Sequence, residues 1–419
     1  MGEVSAATAI VIVREYDPGR DKARVEELEQ RCELEPAGKI SIFADLLGDP
    51  ICRVRNSPAF LMLVAETDGG DVAERWIVGL IRGCIKTVTC GKKLSRSGKT
   101  VNNPHLNPPT PIPVYTKLAN IIGLRVSPSH RRMGIASKLV ERMERWFMER
   151  GAEYAFMATV KGNTPSLKLF TGKYGYAQFR TPALLVHPVF AHRMDTGSHH
   201  INLIELPPHD AELLYRVRLS TTEFFPRDID SVLNNRLNLG TFLAVPRGTY
   251  HGGTWPGMAE FLANPPASWA ALSIWNSNDV FRLEVRGVPW LRRSLCRVSR
   301  FIDGALPFLK LPSVPDVFRP FGVHFLYGLC GEGPRAVAMV RALCGYAHNL
   351  ARSRGAAAVA TEVAEAEPLR AGILHWGRFS CEDDVWCIKR LGEDYSDGAV
   401  GDWTKSPASL SIFVDPREI

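Results

Sequence analysis

Between Leu118 and Phe147 the chain changes its hydrophobic period once, and that change dictates a strand–loop–helix unit. The apolar run from Leu118 to Val126 has the length and composition of a buried strand. A polar loop follows, Ser127-Pro128-Ser129-His130-Arg131-Arg132-Met133-Gly134. Beyond it, Ile135, Leu139, Met143 and Trp146 or Phe147 recur on one helical face. A strand that feeds a helix through a short basic loop is built to hold an anion. The first turn of the helix carries backbone N–H groups with no intrahelical partner and the positive end of the helix dipole. Gly134 has no Cβ to keep a bulky anion from the backbone, and Arg131 and Arg132 add charge beside those amides.

The spacing is more specific than a generic anion loop. Arg131-x-x-Gly134-x-Ala136 resembles the Arg/Gln-x-x-Gly-x-Gly/Ala signature of the GCN5-related N-acetyltransferases (GNATs), whose loop grips the pyrophosphate of acetyl-CoA. The resemblance implies that Arg131, Arg132, Met133, Gly134, Ile135, Ala136 and Ser137 hold that pyrophosphate. It also implies that Leu124, Arg125 and Val126 present a backbone N–H to the thioester carbonyl, as an oxyanion hole does. A second block supports it. A strand from Glu153 to Val160 leads into Gly162-Asn163-Thr164-Pro165-Ser166, then Leu167 to Phe170, Lys173-Tyr174-Gly175-Tyr176, and a last strand from Thr181 to His187. In the family an asparagine opens this helix, so Asn163 and Ser166 are expected to hold the pantetheine arm or a neighbouring backbone group.

The acid and base depart from that pattern. Family members place a tyrosine after the leucine of the second block, where this chain has Phe170, which has no proton to give. Tyr174 is the candidate catalytic residue in its stead, with Tyr176 beyond it. The family's glutamate on the central strand has no counterpart between Lys117 and Val126, where Asn120 and the loop residue His130 are the polar candidates.

Upstream, Val4 to Glu15 reads as a strand and the segment from Asp21 as a helix; a second helical segment is expected over Ser41 to Leu47. Phe60 to Glu66 and Trp76 to Thr89 form a hairpin turned at Asp68-Gly69-Gly70, with Gly79 and Gly83 marking bends in the longer arm. Residues 91–114 are basic and proline-rich, a loop too long to be a plain connection and placed to select a substrate or partner. The P-loop-like Ser97-Gly98-Lys99-Thr100 lacks its leading glycine and carries nothing.

From Ile201 the order repeats. A strand to Leu206, a helix from Asp210 to Arg218, and strands at Phe242 to Val245, Trp269 to Trp275 and Val280 to Val285 lead to a strand at Phe321. Cys330-Gly331-Glu332-Gly333-Pro334 then stands where the anion loop stood, before a helix over Val337 to Arg352, a strand over Ala357 to Val363, and a final strand from Val385 to Leu391. Glu332 would repel pyrophosphate and Pro334 removes a backbone donor. The expected fold is therefore α/β (α+β), the GNAT acyl-CoA N-acyltransferase fold in two tandem copies with the second degenerate. The first domain spans residues 1–195, the second 196–395, with a C-terminal tail over 396–419.

The nine cysteines form no C-x-x-C pair, which argues against a zinc site and for a reducing compartment. No apolar run spans a bilayer, and the N-terminus does not read as a signal peptide. A net charge of +7 suits an anionic cofactor without demanding nucleic acid, so no direct nucleic-acid binding and no membrane are expected. Nearly the whole chain resembles the plant hookless-type probable N-acetyltransferases. That resemblance rests on Val11-Ile12-Val13-Arg14-Glu15-Tyr16-Asp17, Gly123 to Ile135, Lys168-Leu169-Phe170 and Lys173 to Tyr176. It implies acetyl-CoA as co-substrate, an amine acceptor on a protein, a histone or a small molecule, a role in growth regulation, and a nuclear (or cytoplasmic) location. The rival expectation is a catalytically impaired module that senses acetyl-CoA or binds a partner.

Overall fold

Aliphatic and β-branched runs become strands and the amphipathic segments pack across them, in a computed structural model that describes residues 11–33, 41–68, 75–94, 112–250, 255–382, 384–392 and 401–419. The first half runs β1 (Val11–Glu15), α1 (Pro18–Glu33), β2 (Ser41–Asp45), β3 (Ala59–Asp68), β4 (Arg75–Leu94) and β5 (Ile112–Val126). Next come α2 (Ile135–Glu149), β6 (Tyr154–Val160), the short α3 (Thr164–Leu167), β7 (Ala177–Arg180) and β8 (Ala183–Pro188). The second half begins with β9 (Ile201–Leu206), α4 (Pro208–Arg218), α5 (Ile229–Leu233), β10 (Asn238–Pro246), α6 (Met258–Ala263) and β11 (Trp269–Asn276). It continues through β12 (Arg282–Arg286), α7 (Trp290–Ala305), β13 (Gly322–Glu332), α8 (Ala336–Ser353), β14 (Ala356–Val363) and β15 (Asp384–Arg390).

Two large sheets result, in the orders β1-β3-β4-β5-β6-β15-β7 and β8-β14-β13-β11-β10-β9. Each contains one parallel pair, β5 with β6 and β13 with β14. Helix α2 covers the outer face of the first sheet and α8 that of the second. Between the sheets lies a shared core of Leu118, Tyr154 and Phe156 against Leu243, Trp269 and Phe325. Gly83 is a point of close approach: a Cβ there would lie 2.5 Å from Met143 Sδ and 2.8 Å from the Phe147 ring, so its absence lets α2 settle on β4.

The strand at the end of each half crosses to the other sheet. β8, expected to close the first fold, pairs antiparallel with β14 of the second sheet. β15, expected to close the second, lies between β6 and β7 of the first. A division at residue 195 therefore leaves one strand of each sheet on the far side. Nor does the described part of the tail, 401–419, stand apart. Trp403 meets Tyr154 edge-on with ring centroids 5.6 Å apart, and Phe413 packs against Phe225 and Tyr327 in the shared core.

Three local expectations change. Ser41–Asp45 is a strand, not the helix expected over Ser41 to Leu47. It is too short to hold a helix unaided and takes its ladder from β12, with Phe43 under the Arg286 guanidinium at 3.7 Å. The loop at 91–114 is shortened from both ends, because β4 runs to Leu94 and β5 starts at Ile112. The hairpin turn beyond Asp68, at Gly69-Gly70, the start of the first strand and the core of that loop lie outside the described residues. Helix α7 has no counterpart among the sequence expectations.

Candidate active site

The candidate site lies where β5 leaves β6. On one side β5 stays paired with β4 as far as Val126, through a bulge at Gly123 and Leu124 where Gly123 takes φ +65°. On the other side it pairs with β6 only over Leu118–Ile121. From Ile122 to Val126 that edge is open, about 16 Å of strand at roughly 3.3 Å per residue. Leu124, Arg125 and Val126 therefore lie along a splay between the two parallel strands, as an arm bound against β5 requires.

At the top of the splay Ser127 N donates to Val78 O at 2.8 Å, and residues 128–130 make one tight turn. Arg132 and Gly134 both adopt left-handed backbone, φ 66° and 77°. A Cβ on Gly134 would meet nothing within 4 Å, so the conformation, not crowding, requires glycine. The first intrahelical bond of α2 is Lys138 N to Gly134 O at 3.1 Å, which leaves the amides of Ile135, Ala136 and Ser137 ahead of the ladder. Arg131, Arg132, Met133 and Gly134 are exposed while Ile135 is locked in the core. The loop is thus anchored at its helical end and open, basic and donor-rich at its face. An anionic pyrophosphate fits it, and so acetyl-CoA fits: Arg131 to Ser137 would hold the phosphates and the open edge at Leu124–Val126 the arm.

Asn163 caps α3. Its Oδ1 accepts from Ser166 N at 3.4 Å and its Nδ2 donates to Thr159 Oγ1 at 3.0 Å, so of the two expected roles the structure fills the backbone one. Phe170 is buried edge-on against Tyr176, ring centroids 5.1 Å apart. Tyr174 follows a single π-turn over Lys168–Lys173 that places it against α2. Its hydroxyl donates to Ser137 O at 3.0 Å and lies 2.9 Å from Glu141 Oε1. Burial raises the Tyr174 pKa above the ordinary tyrosine value, so the proton stays on. His130 turns toward Ser129 Oγ at 2.9 Å, within the loop itself.

The opposite face of the sheet, away from α2, holds a group that local sequence reasoning missed. Cys84 and Asn120 are cross-strand partners on β4 and β5. Asn120 is 6% exposed and its Oδ1 has no partner among the described residues. The tail brings Glu418 beside them, Oε1 3.3 Å from Cys84 Sγ and 2.8 Å from Lys86 Nζ. Asp415 takes Lys86 at 3.3 Å and Arg417, which also reaches Asp228 at 2.6 Å. Burial pulls the Lys86 pKa down, but Asp415 and Glu418 more than offset it, leaving it above the usual lysine value.

In the second half the equivalent loop is tied to its own neighbours. Glu332 pairs with Arg218 at 2.7 Å, Arg335 N donates to Ser268 Oγ at 3.1 Å, and a Cβ on Gly333 would fall 2.0 Å from Ala267 O. Glu332 puts a negative charge where a phosphate would lie, and Pro334 has no N–H to offer it. No cluster of His, Cys, Asp or Glu suited to a metal occurs among the described residues, and none of their helices is long and apolar enough to cross a membrane.

Residues 23–176, from α1 to the end of the second block, match the model of the acetyltransferase (GNAT) family. The chain belongs to that family. Within it, the chain is 62% identical over 414 residues to a probable N-acetyltransferase of Arabidopsis thaliana, HLS1-like, covering 98% of this chain and all of that one. It is 39% identical over 446 residues to the acetyl transferase GW6a of Oryza sativa subsp. japonica, covering 98% and 97%. Among solved structures, a fungal multi-domain GH3 β-N-acetylglucosaminidase carries a GCN5-related glucosamine N-acetyltransferase region of similar fold. That match has a TM-score of 0.53 at 13% identity and covers 91% of this chain and 38% of the fungal one.

Proposed function

We propose that this N-acetyltransferase moves the acetyl group of acetyl-CoA to a primary amine of a protein, a lysine side chain or an N-terminal amine, with histones and small amines in the same class. The observation that carries the reading is the open splay of β5 beneath an exposed basic loop, a site of which only the first half keeps a usable copy. Bound acetyl-CoA supplies the acetyl group as an activated thioester. The chain's own part is placement: Arg131, Arg132 and the first amides of α2 hold the phosphates, and a backbone N–H between Leu124 and Val126 polarises the carbonyl. Tyr174, kept protonated, is the proton donor assigned to the departing sulfur. A growth-regulatory role and a nuclear location, implied by the family resemblance, belong to this reading. The loop between β4 and β5 is its candidate selector of substrate.

The test is a calorimetric titration of acetyl-CoA into the native chain and a Gly134→Glu variant, followed by a screen of amines and histone peptides. Strain at φ 77° and a like charge against the phosphates should together cost at least about 2 kcal/mol, or about thirtyfold in Kd. Equal binding by both chains refutes the loop assignment. A second reading, an acetyl-CoA sensor without turnover, draws support from Phe170 and from the absence of a carboxylate on β5. It predicts binding with no acetylated product from any acceptor.

A further inference from the structure

A transferase of this kind needs a group to accept the proton of its amine, and β5 offers none. We propose that the C-terminal tail supplies it: Glu418 is the general base, and Asn120 Oδ1 orients the incoming ammonium group at the root of the splay. This rests on the transferase reading given above.

Three observations converge. First, Asn120 stands on the second-last rung of the β5–β6 ladder, opposite Phe156. Its side chain is therefore at the point where an arm descending the open edge ends, on the face opposite α2. Second, its Oδ1 is an unpaired acceptor on a side chain only 6% exposed. A buried carbonyl oxygen without a donor costs stability, and an ammonium N–H is the donor that fits there. Third, a carboxylate is held in place beside Cys84, the cross-strand partner of Asn120. Glu418 takes Lys86 Nζ at 2.8 Å and Cys84 Sγ at 3.3 Å, while Arg53 Nη2 binds its backbone oxygen at 3.3 Å. Its side chain keeps about a tenth of its surface, 11%, open. Burial, then the charge of Glu418 itself, push the Cys84 thiol well above its ordinary value, so it remains an S–H donor to the carboxylate.

The chemistry balances with no further reactant. Glu418 takes one proton from the ammonium form of the acceptor, and the freed lone pair makes the C–N bond to the thioester carbonyl. The C–S bond breaks, the sulfur leaves with the electron pair of that C–S bond and takes a proton from Tyr174, which is restored by the second proton of the nitrogen. Glu418 then returns its proton to water. The acceptor so defined is a cationic primary amine that arrives from the side of the second half, not past the basic loop.

The experiment compares the native chain with Glu418→Gln and Glu418→Asp. The readouts are calorimetric binding of acetyl-CoA, calorimetric binding of a lysine peptide to the CoA-saturated protein, and the pH profile of kcat/KM for that peptide and for n-butylamine. The expected result is acetyl-CoA affinity within twofold of native in all three chains. Glu418→Gln should bind the peptide more weakly and lose about 10²–10⁴ in kcat/KM at neutral pH. That loss should shrink as pH rises past about 10.4, the ordinary lysine value, above which most of the amine arrives without the proton to be removed. Glu418→Asp, which keeps the charge, should recover part of the rate with the native acid limb. A Glu418→Gln profile parallel to native at every pH overturns the assignment alone, because turnover by the native chain upholds the transferase reading. A native chain that binds acetyl-CoA but acetylates neither acceptor overturns both.

Discussion

Replacing Glu223 by glutamine should loosen the joint between the two halves. Glu223 lies between α4 and α5 and is 1% exposed. Its carboxylate accepts from Arg180 Nε at 2.8 Å and Nη2 at 2.6 Å, and from Trp403 Nε1 at 2.9 Å. Its backbone oxygen accepts Phe413 N at 2.9 Å. One side chain thus ties β7 of the first sheet, the second half and the tail. Glutamine keeps the shape but turns an N–H toward a guanidinium that is itself only 6% exposed. Stranding a buried charge in this way costs about 3–5 kcal/mol. An unfolding entropy of about 2.1 cal/mol/K per residue over 419 residues gives about 0.9 kcal/mol per kelvin, so Tm should fall by about 3–6 °C. Scanning calorimetry reads this directly, and the exchanged strands predict one transition, not two. The control is the double variant Arg180→Met/Glu223→Met, which removes both charges and should recover most of the loss. The reasoning is refuted if Glu223→Gln moves Tm by less than about 1 °C, or if the double variant melts below Glu223→Gln.

Tyr174→Phe should lower kcat about tenfold or more with acetyl-CoA affinity unchanged. An unchanged kcat with a lower Tm would make Tyr174 only a tie between its turn and α2. Burial holds His187 near pKa 3 and His348 near 4, each below the ordinary 6.5, with their rings in contact at 3.2 Å. Both are neutral in the folded chain and protonate more readily unfolded, so the stability they contribute is complete above pH 6.5 and is lost as pH falls through 4 toward 3. His187→Phe should flatten the fall of Tm between pH 6.5 and 4; curves parallel to native would remove these rings as the cause.

The βα unit was legible because its two periods are local. Ile135, Leu139, Met143 and Phe147 all lie buried on α2, and the loop ahead of them is as exposed and basic as its residues imply. The tandem order was legible for the same reason, each run being long enough to show its period. Partner choice was not. β8 and β15 are short runs that alternation identifies as strands, but alternation says nothing of which sheet receives them. Ser41–Asp45 was misread because five residues show too little of either period and the partner, β12, lies far along the chain. Helix α7 did carry a signal, Leu291, Leu295, Val298 and Ile302 at helical spacing, broken up by arginines. The Glu418 cluster could not be seen locally, since 334 residues separate that carboxylate from Cys84.

The reciprocal exchange of β8 and β15 also sets a timetable for synthesis. Some 220 residues emerge between the end of β6 and the start of β15, about 10–45 s at ordinary translation rates. For that interval β6 is a bare edge carrying unsatisfied backbone groups, next to the open edge of β5. The half that does the chemistry is translated first and finished last. A premature stop anywhere before Asp384, even one that spares every cofactor contact, yields an open sheet prone to pairing with other nascent chains. Nonsense alleles confined to the second half should therefore behave as losses of the first.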